Sequence, residues 1–270
     1  MKRVGIICAV ALVTLFSVGP FVWIVGASLK TPATITARPP TIVPDFATTF
    51  YETAFGEHNI LRYALNSAIV AGTTTLITIV LAALAAYPLA RLRLRRRGVI
   101  LGIVLGASMF PQIAIVGGVY RMLSHWGLLN TYPGLILPYT ALALPLAIWI
   151  LTVFFRALPR ELEEAAIVDG CGPVATLRRV FIPLAAPGIF TAAILVFIQS
   201  WNEFFFALLI TTDPSVQTLP VGIAKFPGQY MVPWGELAAA AVVATVPLVI
   251  VVLVLQRRIT SGLTAGAVKG

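Results

Sequence analysis

Residues 164–170, Glu-Ala-Ala-Ile-Val-Asp-Gly, form part of a charged segment between two long apolar segments of this chain. Two further carboxylates, Glu161 and Glu163, lie just before the stretch, and two arginines, Arg178 and Arg179, follow it. Charged side chains are costly inside a bilayer. We therefore expect this segment to lie outside the membrane, where it is able to contact a soluble partner.

The composition of the chain indicates an integral membrane protein. Hydrophobic residues make up 59% of the 270 residues and charged residues only 11%, whereas soluble domains average about 45–50% and about 25%. The length accommodates several membrane spans of ~20 residues and leaves no room for an added soluble domain. We expect one transmembrane domain over residues 1–270, a fold class of all-α integral membrane protein, and a lipid bilayer as its surroundings.

Six apolar segments are long enough to be membrane spans. Each is predicted to be a helix, because a backbone N–H or C=O group in hydrocarbon finds a hydrogen-bond partner only within the protein. The first could instead be a signal peptide, but its apolar run exceeds the usual length of about 7–15 residues, which favours a retained span. The six predicted spans are residues 4–29, 65–90, 99–120, 134–155, 183–210 and 237–255.

The distribution of basic residues predicts the orientation of these spans. With the N-terminus inside, fourteen of the nineteen Lys and Arg residues lie on the cytoplasmic side. Cytoplasmic loops of membrane proteins carry such an excess. We therefore expect both termini, and the charged segment, in the cytoplasm. The net charge of +9 is explained by these flanking residues and by anionic lipid, so nucleic acid is not an expected partner.

Neither of the two cysteines is expected to have a disulfide or metal-binding role. Cys8 lies in the first apolar segment, and Cys171 lies in the charged segment. Disulfides and structural metal sites need paired or clustered ligands. We expect no metal site in the chain.

The charged segment has the signals of a short helix, a turn and a second helix. Pro159 and the acids after it suit a first helical turn, and Gly170 interrupts the helix. Gly172 and Pro173 then form a turn before a second helical run over residues 174–180. An amphipathic loop on the inner leaflet is the alternative, although acidic residues disfavour contact with that negative surface.

The spacing in this segment resembles the EAA loop of ABC importer permeases: Glu-Ala-Ala, three residues, Gly, nine residues, then an Ile-x-Leu-Pro-like run, here residues 180–183 as Val-Phe-Ile-Pro. In that family the loop contains a cytoplasmic coupling helix held by an ATPase. The resemblance implies a coupling loop over residues 156–182 and the start of the next span. Its implied ATPase-coupling residues are Glu163, Glu164, Ala165, Ala166, Asp169, Gly170, Arg178, Val180 and Pro183.

The C-terminal residues 256–270 resemble the cytoplasmic tail of one subunit of the carbohydrate-uptake permeases. In that family the tail inserts between two ATPase subunits, whereas composition alone would predict a frayed, Gly-rich terminus. The implied tail contacts are Gly262, Leu263, Thr264, Gly266 and Lys269. Further similarity covers essentially the whole chain, in residues 28–30, 66–67, 87–91, 109–111, 130–132 and 201–203.

The chain thus resembles a MalG-like permease subunit of maltose- and trehalose-type carbohydrate ABC importers, with six transmembrane helices. That family implies a location in the bacterial cytoplasmic membrane and uptake of a di- or oligosaccharide such as trehalose or maltose. It implies a second permease as a heterodimer partner, an ATPase dimer and an extracytoplasmic sugar-binding protein. No phosphate-binding Gly-x-x-x-x-Gly-Lys motif occurs. We therefore expect no enzyme activity and no cofactor in this chain, with ATP and Mg bound by the ATPase.

Polar residues in the fifth span suggest where a solute would pass. Gln199, Asn202, Glu203 and Phe206 have offsets of 0, 3, 4 and 7, which place them on one face of a continuous helix. Amide, carboxylate and aromatic groups suit a sugar. Such residues also hydrogen-bond neighbouring helices, worth about 0.6 kcal/mol each. A stand-alone secondary transporter using Glu203 is the alternative function.

Overall fold

The computed structural model describes residues 2–92, 95–226 and 232–267, with backbone alone at residue 2 and from residue 255 onward. All regular elements in these ranges are helical. They are α1 (Lys2–Ser28), α2 (Pro32–Ile35), α3 (Thr49–Gly56), α4 (Ile60–Arg91), α5 (Arg97–Ser108), α6 (Gln112–His125), α7 (Tyr132–Ala157), α8 (Glu161–Val168), α9 (Pro173–Thr176), a π-helix (Leu177–Phe181), α10 (Ile182–Leu184), α11 (Ala186–Trp201), α12 (Phe205–Ile210), α13 (Leu219–Ala224) and α14 (Trp234–Ala267).

Four described helices are long and apolar enough to cross a membrane: α1, α4, α7 and the part of α14 up to Val254. Two further candidates are bent pairs, with α5 and α6 meeting at 85° and the helical run Pro173–Leu184 meeting α11 at 82°. The described residues therefore contain four candidate spans, or up to six if each bent pair is one span. The expected third and fifth spans remain predictions.

The bend between α5 and α6 follows from local chemistry. Pro111 lies at the bend in an extended conformation (φ −64°, ψ 126°) and has no N–H with which to continue the hydrogen-bond ladder. Met109 and Phe110, beside it, are 84% and 64% exposed. The sequence predicted one helical span over residues 99–120, and the structure has two helices, α5 and α6, in this segment.

One compact unit comprises Met1–Ala64 and Leu219–Leu248. Its helices approach closely at two glycines: a Cβ on Gly235 would lie 2.2 Å from the Phe50 ring, and a Cβ on Gly222 would lie 2.2 Å from the Tyr63 ring. His58 Nε2 lies 2.7 Å from a carboxylate oxygen of Glu236. Close approach at small residues and the His58–Glu236 pair thus help to hold this unit together.

The other compact unit comprises Leu65–Thr218 and Val249–Gly270. Its core joins α4, α7 and α11 largely through fully buried alanines, with Leu151, Phe155 and Phe181 filling the space beside them. Small residues let membrane helices approach closely. The alanines are Ala82, Ala86, Ala143, Ala147 and Ala192.

A buried polar network joins residues far apart in the sequence of this second unit. The Asn66 amide donates to the carbonyl oxygens of Ser215 (3.0 Å) and Gln217 (2.8 Å). The Tyr132 hydroxyl donates to Asn66 Oδ1 at 2.8 Å. These bonds connect the N-terminal turns of α4 and α7 to the segment that follows α12. The charged segment, in contrast, follows the other end of α7.

Candidate coupling loop and solute path

Helix α8 begins at Glu161, two residues after Pro159. Leu158, which precedes the proline, is extended (φ −72°, ψ 143°), as residues before proline generally are. The first turn of α8 carries three acids, Glu161, Glu163 and Glu164. Their charge complements the positive end of the helix dipole, which explains why this short polar segment is helical.

Helix α8 ends at a glycine in the left-handed conformation. Gly170 has φ +76°, its N–H donates to the Ile167 carbonyl, and the Cys171 N–H donates to the Ala166 carbonyl at 2.9 Å. Glycine adopts this conformation without the steric cost that a Cβ imposes. The chain then turns at Gly172 and enters α9, which continues through the π-helix and α10.

The coupling loop is bound to α4 by a hydrogen bond between side chains. The Tyr87 hydroxyl donates to Glu163 Oε1 at 3.1 Å, and Tyr87 is only 7% exposed. The contact joins residues 76 positions apart. One acid of α8 is therefore directed inward, whereas Glu164 beside it is exposed.

An arginine on α4 adds a second attachment. Arg91 Nη2 donates to the carbonyl oxygen of Leu158 at 2.5 Å, just before α8 begins. The guanidinium of Arg91 lies 4.7 Å from the centre of the Phe181 ring. A cation over an aromatic face is attracted by the ring quadrupole. Arg91 thus contacts both ends of the coupling loop.

Phe181 is the apolar centre of this region. It is fully buried and makes edge-to-face contacts with Tyr87 (ring centroids 5.1 Å apart) and with Phe155 of α7 (5.8 Å). Aromatic pairs in this geometry are worth about 0.5–1.5 kcal/mol beyond area burial. We call the buried or half-buried set Glu163, Ala166, Leu177 and Phe181 the inner face of the loop.

The opposite set of side chains is exposed and mixes acids with aliphatic groups. Ile167, Val168 and Val174 are 62%, 86% and 71% exposed. Together with Glu164 and Asp169, which are also exposed, they form what we call the outer face. Apolar groups this exposed beside acids are typical of an interaction surface.

The structure brings the predicted coupling residues into one segment but divides them by exposure. Glu163 and Val180 are half-buried, and Ala166 is 5% exposed. The exposed ones are Glu164, Ala165, Asp169, Gly170, Arg178 and Pro183. Sequence reasoning missed Tyr87, Arg91 and Phe181, although residues 87–91 belong to a recognised run of similarity.

The expected single helix face in the fifth span is wrong. Helix α11 ends at Trp201 and α12 begins at Phe205, so the chain is not helical between them. Glu203 explains the break: its carboxylate oxygens accept hydrogen bonds from the N–H groups of Phe206 (2.9 Å) and Ala207 (3.1 Å). An acid that caps α12 in this way cannot lie within a continuous helix.

The four predicted path residues differ in accessibility. Gln199 and Asn202 are exposed and Glu203 is half-buried, whereas Phe206 is fully buried and unavailable to a solute. Tyr139, which sequence reasoning missed, is a buried polar residue of α7, 2% exposed. No group of three or more His, Cys, Asp or Glu residues within the described ranges could hold a metal ion.

The predicted tail contacts fall where only the backbone is described, or outside it. Helix α14 continues to Ala267, so the expected frayed terminus is helical at least to that residue. Lys269 lies outside the described residues. At Gly262, Leu263, Thr264 and Gly266 the structure describes the backbone alone, so the Leu263 and Thr264 side chains also lie outside the described part of the chain.

Comparison with known proteins adds relatives along the full chain. The trehalose/maltose transport system permease protein MalG of Thermococcus litoralis is 42% identical over 275 residues, covering 100% of this chain and 98% of the relative. The trehalose transport system permease protein SugB of Mycobacterium tuberculosis is 43% identical, covering 96% and 95%. The sulfoquinovosyl glycerol transport system permease protein SmoH of Agrobacterium fabrum is 42% identical, covering 93% and 88%.

The fold is also similar to a solved structure and the sequence to a family model. A chain from a bacterial ABC transporter that imports alginate superposes with a TM-score of 0.80 at 22% identity, covering 95% of this chain and 96% of that chain. The model of the binding-protein-dependent transport system inner membrane component matches residues 78–264, which include the coupling loop and both faces. This chain therefore belongs to the family of binding-protein-dependent transport system inner membrane components.

Proposed function

We propose that this chain is a permease subunit of an ATP-driven bacterial sugar importer and that its coupling loop binds the ATPase. The observation that carries the proposal is the two-sided loop. Val168 on the outer face is 86% exposed, whereas Phe181 on the inner face is fully buried. A segment exposed on one side and bound to α4 and α7 on the other is suited to transmit the movement of a partner.

Movement would pass from the outer face to α4 through two contacts, the Tyr87–Glu163 hydrogen bond and the Arg91 contacts with Leu158 and Phe181. Phe155 extends the contact to α7. Closely packed side chains transmit displacement because they do not deform continuously. ATP and Mg would be bound by the ATPase, and this chain would convert closure of that partner into rearrangement of its spans.

The proposed topology has both termini and the coupling loop in the cytoplasm. The excess of Lys and Arg in the segments assigned to that side supports it. Six spans would result if each bent pair crosses the membrane once. The importer would contain a second, related permease, an ATPase dimer and an extracytoplasmic sugar-binding protein.

The proposed substrate is a di- or oligosaccharide, with trehalose or maltose favoured. The names of two relatives, which cover nearly the whole chain at 42% and 43% identity, refer to transport of these sugars. Gln199 and Asn202, which are exposed, and half-buried Glu203 would supply hydrogen-bonding groups to the path. Uptake of radiolabelled trehalose should fall in Asn202→Ala and Gln199→Ala, and unimpaired uptake in both would contradict this path.

The alternative of a proton-coupled carrier that uses Glu203 is less well supported. The Glu203 carboxylate already accepts two backbone hydrogen bonds at the start of α12, which gives this side chain a structural role in that helix. Glu203 is therefore better explained as a capping residue beside the path.

The tail is proposed to reach the ATPase dimer, as in the family that the chain resembles. Its five proposed contacts are Gly262, Leu263, Thr264, Gly266 and Lys269. Removal of residues 264–270 should reduce transport-linked ATP hydrolysis while the coupling loop still retains the ATPase. Unchanged hydrolysis in the truncated chain would contradict the tail contact.

Co-purification tests the coupling loop directly. The full chain, expressed with its candidate ATPase and partner permease, should retain the ATPase, and Glu164→Lys on the outer face should lose it. Lys225→Gln, which alters an exposed residue remote in sequence, is the control and should retain it. Full ATPase retention and uptake in Glu164→Lys would contradict the proposal.

A further inference from the structure

Lys30 is a buried cation without a carboxylate partner. The residue is 5% exposed, its Nζ donates to the Thr41 carbonyl at 2.5 Å, and it lies 5.2 Å from the centre of the Trp23 ring. Among the residues that the structure describes, no acid lies within 4 Å of its ammonium group. Buried charges in proteins are generally paired, and Lys30 has a carbonyl oxygen rather than a carboxylate as its described hydrogen-bond partner.

The Asp45 carboxylate, a candidate ion-pair partner for Lys30, already has other hydrogen-bond partners. Asp45 accepts hydrogen bonds from the hydroxyl of Thr34 and from the N–H of Thr31. The Thr34 hydroxyl is the main reason that the pKa of Asp45 lies below its ordinary value, and Lys30 makes a smaller contribution. Asp45 thus influences Lys30 only at a distance beyond ion-pair contact.

Lys30 lies at the junction of two apolar grooves. One, of about 450 Å³, lies along the end of α1 and the start of α14 and is lined by Ile24, Trp234 and Leu237 among others. The second, of about 380 Å³, lies along the other side of α1 and is lined by Val22 and Phe46 among others. Among the residues that the structure describes, the two grooves share Trp23, Ala27 and Lys30.

The surroundings of the grooves suit a membrane interface. Ile42 and Phe46 in the connection after α1 are 82% and 74% exposed, and Trp234 at the start of α14 is 65% exposed. Tryptophan is enriched where membrane proteins cross from hydrocarbon to the polar headgroups. Lys30 follows α1 by two residues, which places its charge at headgroup depth if α1 spans the bilayer.

We propose that Lys30 and the two grooves bind one anionic diacyl phospholipid, with the phosphate at Lys30 and one acyl chain in each groove. An ammonium group has three hydrogen-bond donors, and Thr41 uses one of them, so donors remain for a phosphate. The apolar lining on both sides of Lys30 explains why a lipid, rather than free phosphate, fits the site. The inference depends on the chain spanning a membrane and not on the proposed coupling loop or sugar.

Native mass spectrometry of the full-length chain tests the headgroup contact. The chain is purified in detergent and titrated with phosphatidylglycerol or with phosphatidylcholine. We expect the wild-type chain to retain one phosphatidylglycerol in preference to phosphatidylcholine, and Lys30→Gln to weaken phosphatidylglycerol binding about tenfold, the effect of losing one charge-assisted contact. Lys225→Gln, the same change at an exposed lysine, should retain wild-type binding. Equal preference in Lys30→Gln and wild type would overturn the proposal.

A second measurement tests the acyl-chain grooves. Ala27 lines both, so Ala27→Leu should reduce retention of either lipid, unlike Lys30→Gln, which acts on the anionic lipid alone. A photoreactive residue at Ile24 should form lipid adducts in native membranes. A protein adduct there in place of lipid would overturn the proposal by identifying a protein occupant, as would full lipid retention in Ala27→Leu.

Discussion

The two faces of the coupling loop are adjacent in sequence but differ in what holds them. The inner face is held by residues from two long helices: Tyr87 bonds Glu163, and Phe155 packs on Phe181. The outer face has exposed acids and aliphatic groups, with Val168 at 86% exposure. Glu163 and Glu164 are neighbours with the same chemistry, yet only Glu163 is bonded to α4.

This difference separates stability from partner binding. Substitutions on the inner face should destabilise the chain or disturb transmission, whereas substitutions on the outer face should weaken binding of the ATPase with little change in stability. A substitution that strongly lowers both stability and ATPase binding from either face would contradict this separation.

The largest effect on stability is expected at Phe181. Phe181→Ala removes the fully buried ring that contacts Tyr87, Phe155 and Arg91, and large-to-small changes of this kind cost about 3–5 kcal/mol. Thermal unfolding of the detergent-solubilised chain should show a clear fall in midpoint. The matched outer-face change, Val168→Ala, should leave the midpoint near the wild-type value, and a similar fall in both would contradict the distinction.

The next effect is expected in ATPase binding. Glu164→Lys reverses a charge on the outer face without removing a described hydrogen bond, so binding of the ATPase should weaken at least about tenfold, or roughly 1.4 kcal/mol. Affinity can be measured by titrating labelled ATPase into the detergent-solubilised permease. The unfolding midpoint should fall only slightly, because the contribution of Glu164 to the α8 dipole is about 0.3–1 kcal/mol. A large loss of stability with intact binding would reverse the assignment of the faces.

The turn between the faces should show a smaller effect on stability than Phe181. Gly170→Ala places a Cβ at φ +76°, which costs about 1–2 kcal/mol because the left-handed region is unfavourable for L-residues. The control is Gly172→Ala, where φ is −71° and the space around a Cβ is open. Thermal unfolding should distinguish the two, and equal midpoints would show that the left-handed turn is not needed.

The smallest effect on stability is expected from the hydrogen bond at Tyr87. Tyr87→Phe removes the hydroxyl and should cost about 0.5–1.5 kcal/mol. A double-mutant cycle with Glu163→Ala measures the interaction between the two side chains, and Glu163→Gln should retain part of it because its amide oxygen accepts the bond. Additive effects in the cycle would rule out the contact.

The same contact should affect transport more than stability. In Tyr87→Phe the ATPase should still co-purify, but more ATP should be hydrolysed for each sugar taken up. Tyr120→Phe, the same change at a partly exposed tyrosine on α6, is the control. An unchanged ratio in Tyr87→Phe would show that movement reaches α4 by another route.

Local features of the coupling loop could be predicted from the sequence. Proline, first-turn acids and glycine act on their own neighbours, so α8 and the turn at Gly170 follow from residues close together in the chain. The break at residues 202–204 could not be predicted from spacing. Residue offsets do not show that the Glu203 carboxylate accepts hydrogen bonds from the N–H groups of Phe206 and Ala207.

The contacts that hold the coupling loop, and those of the polar network at Asn66, could not be predicted because they join residues distant in the sequence. Tyr87 meets Glu163 across 76 positions, and Asn66 meets Gln217 across 151. A hydrophobic pattern identifies helices but does not determine which polar groups meet when helices pack.

The outer face as the site of ATPase contact is tested most directly by site-specific cross-linking. A photoreactive residue replaces Val168, which is 86% exposed, or Leu76, a 67% exposed residue on α4, in the chain co-expressed with its ATPase in membranes. We expect a cross-linked permease–ATPase product at Val168 and none at Leu76. Absence of an ATPase adduct at Val168 in assembled, transporting complexes would contradict binding of the ATPase at the outer face.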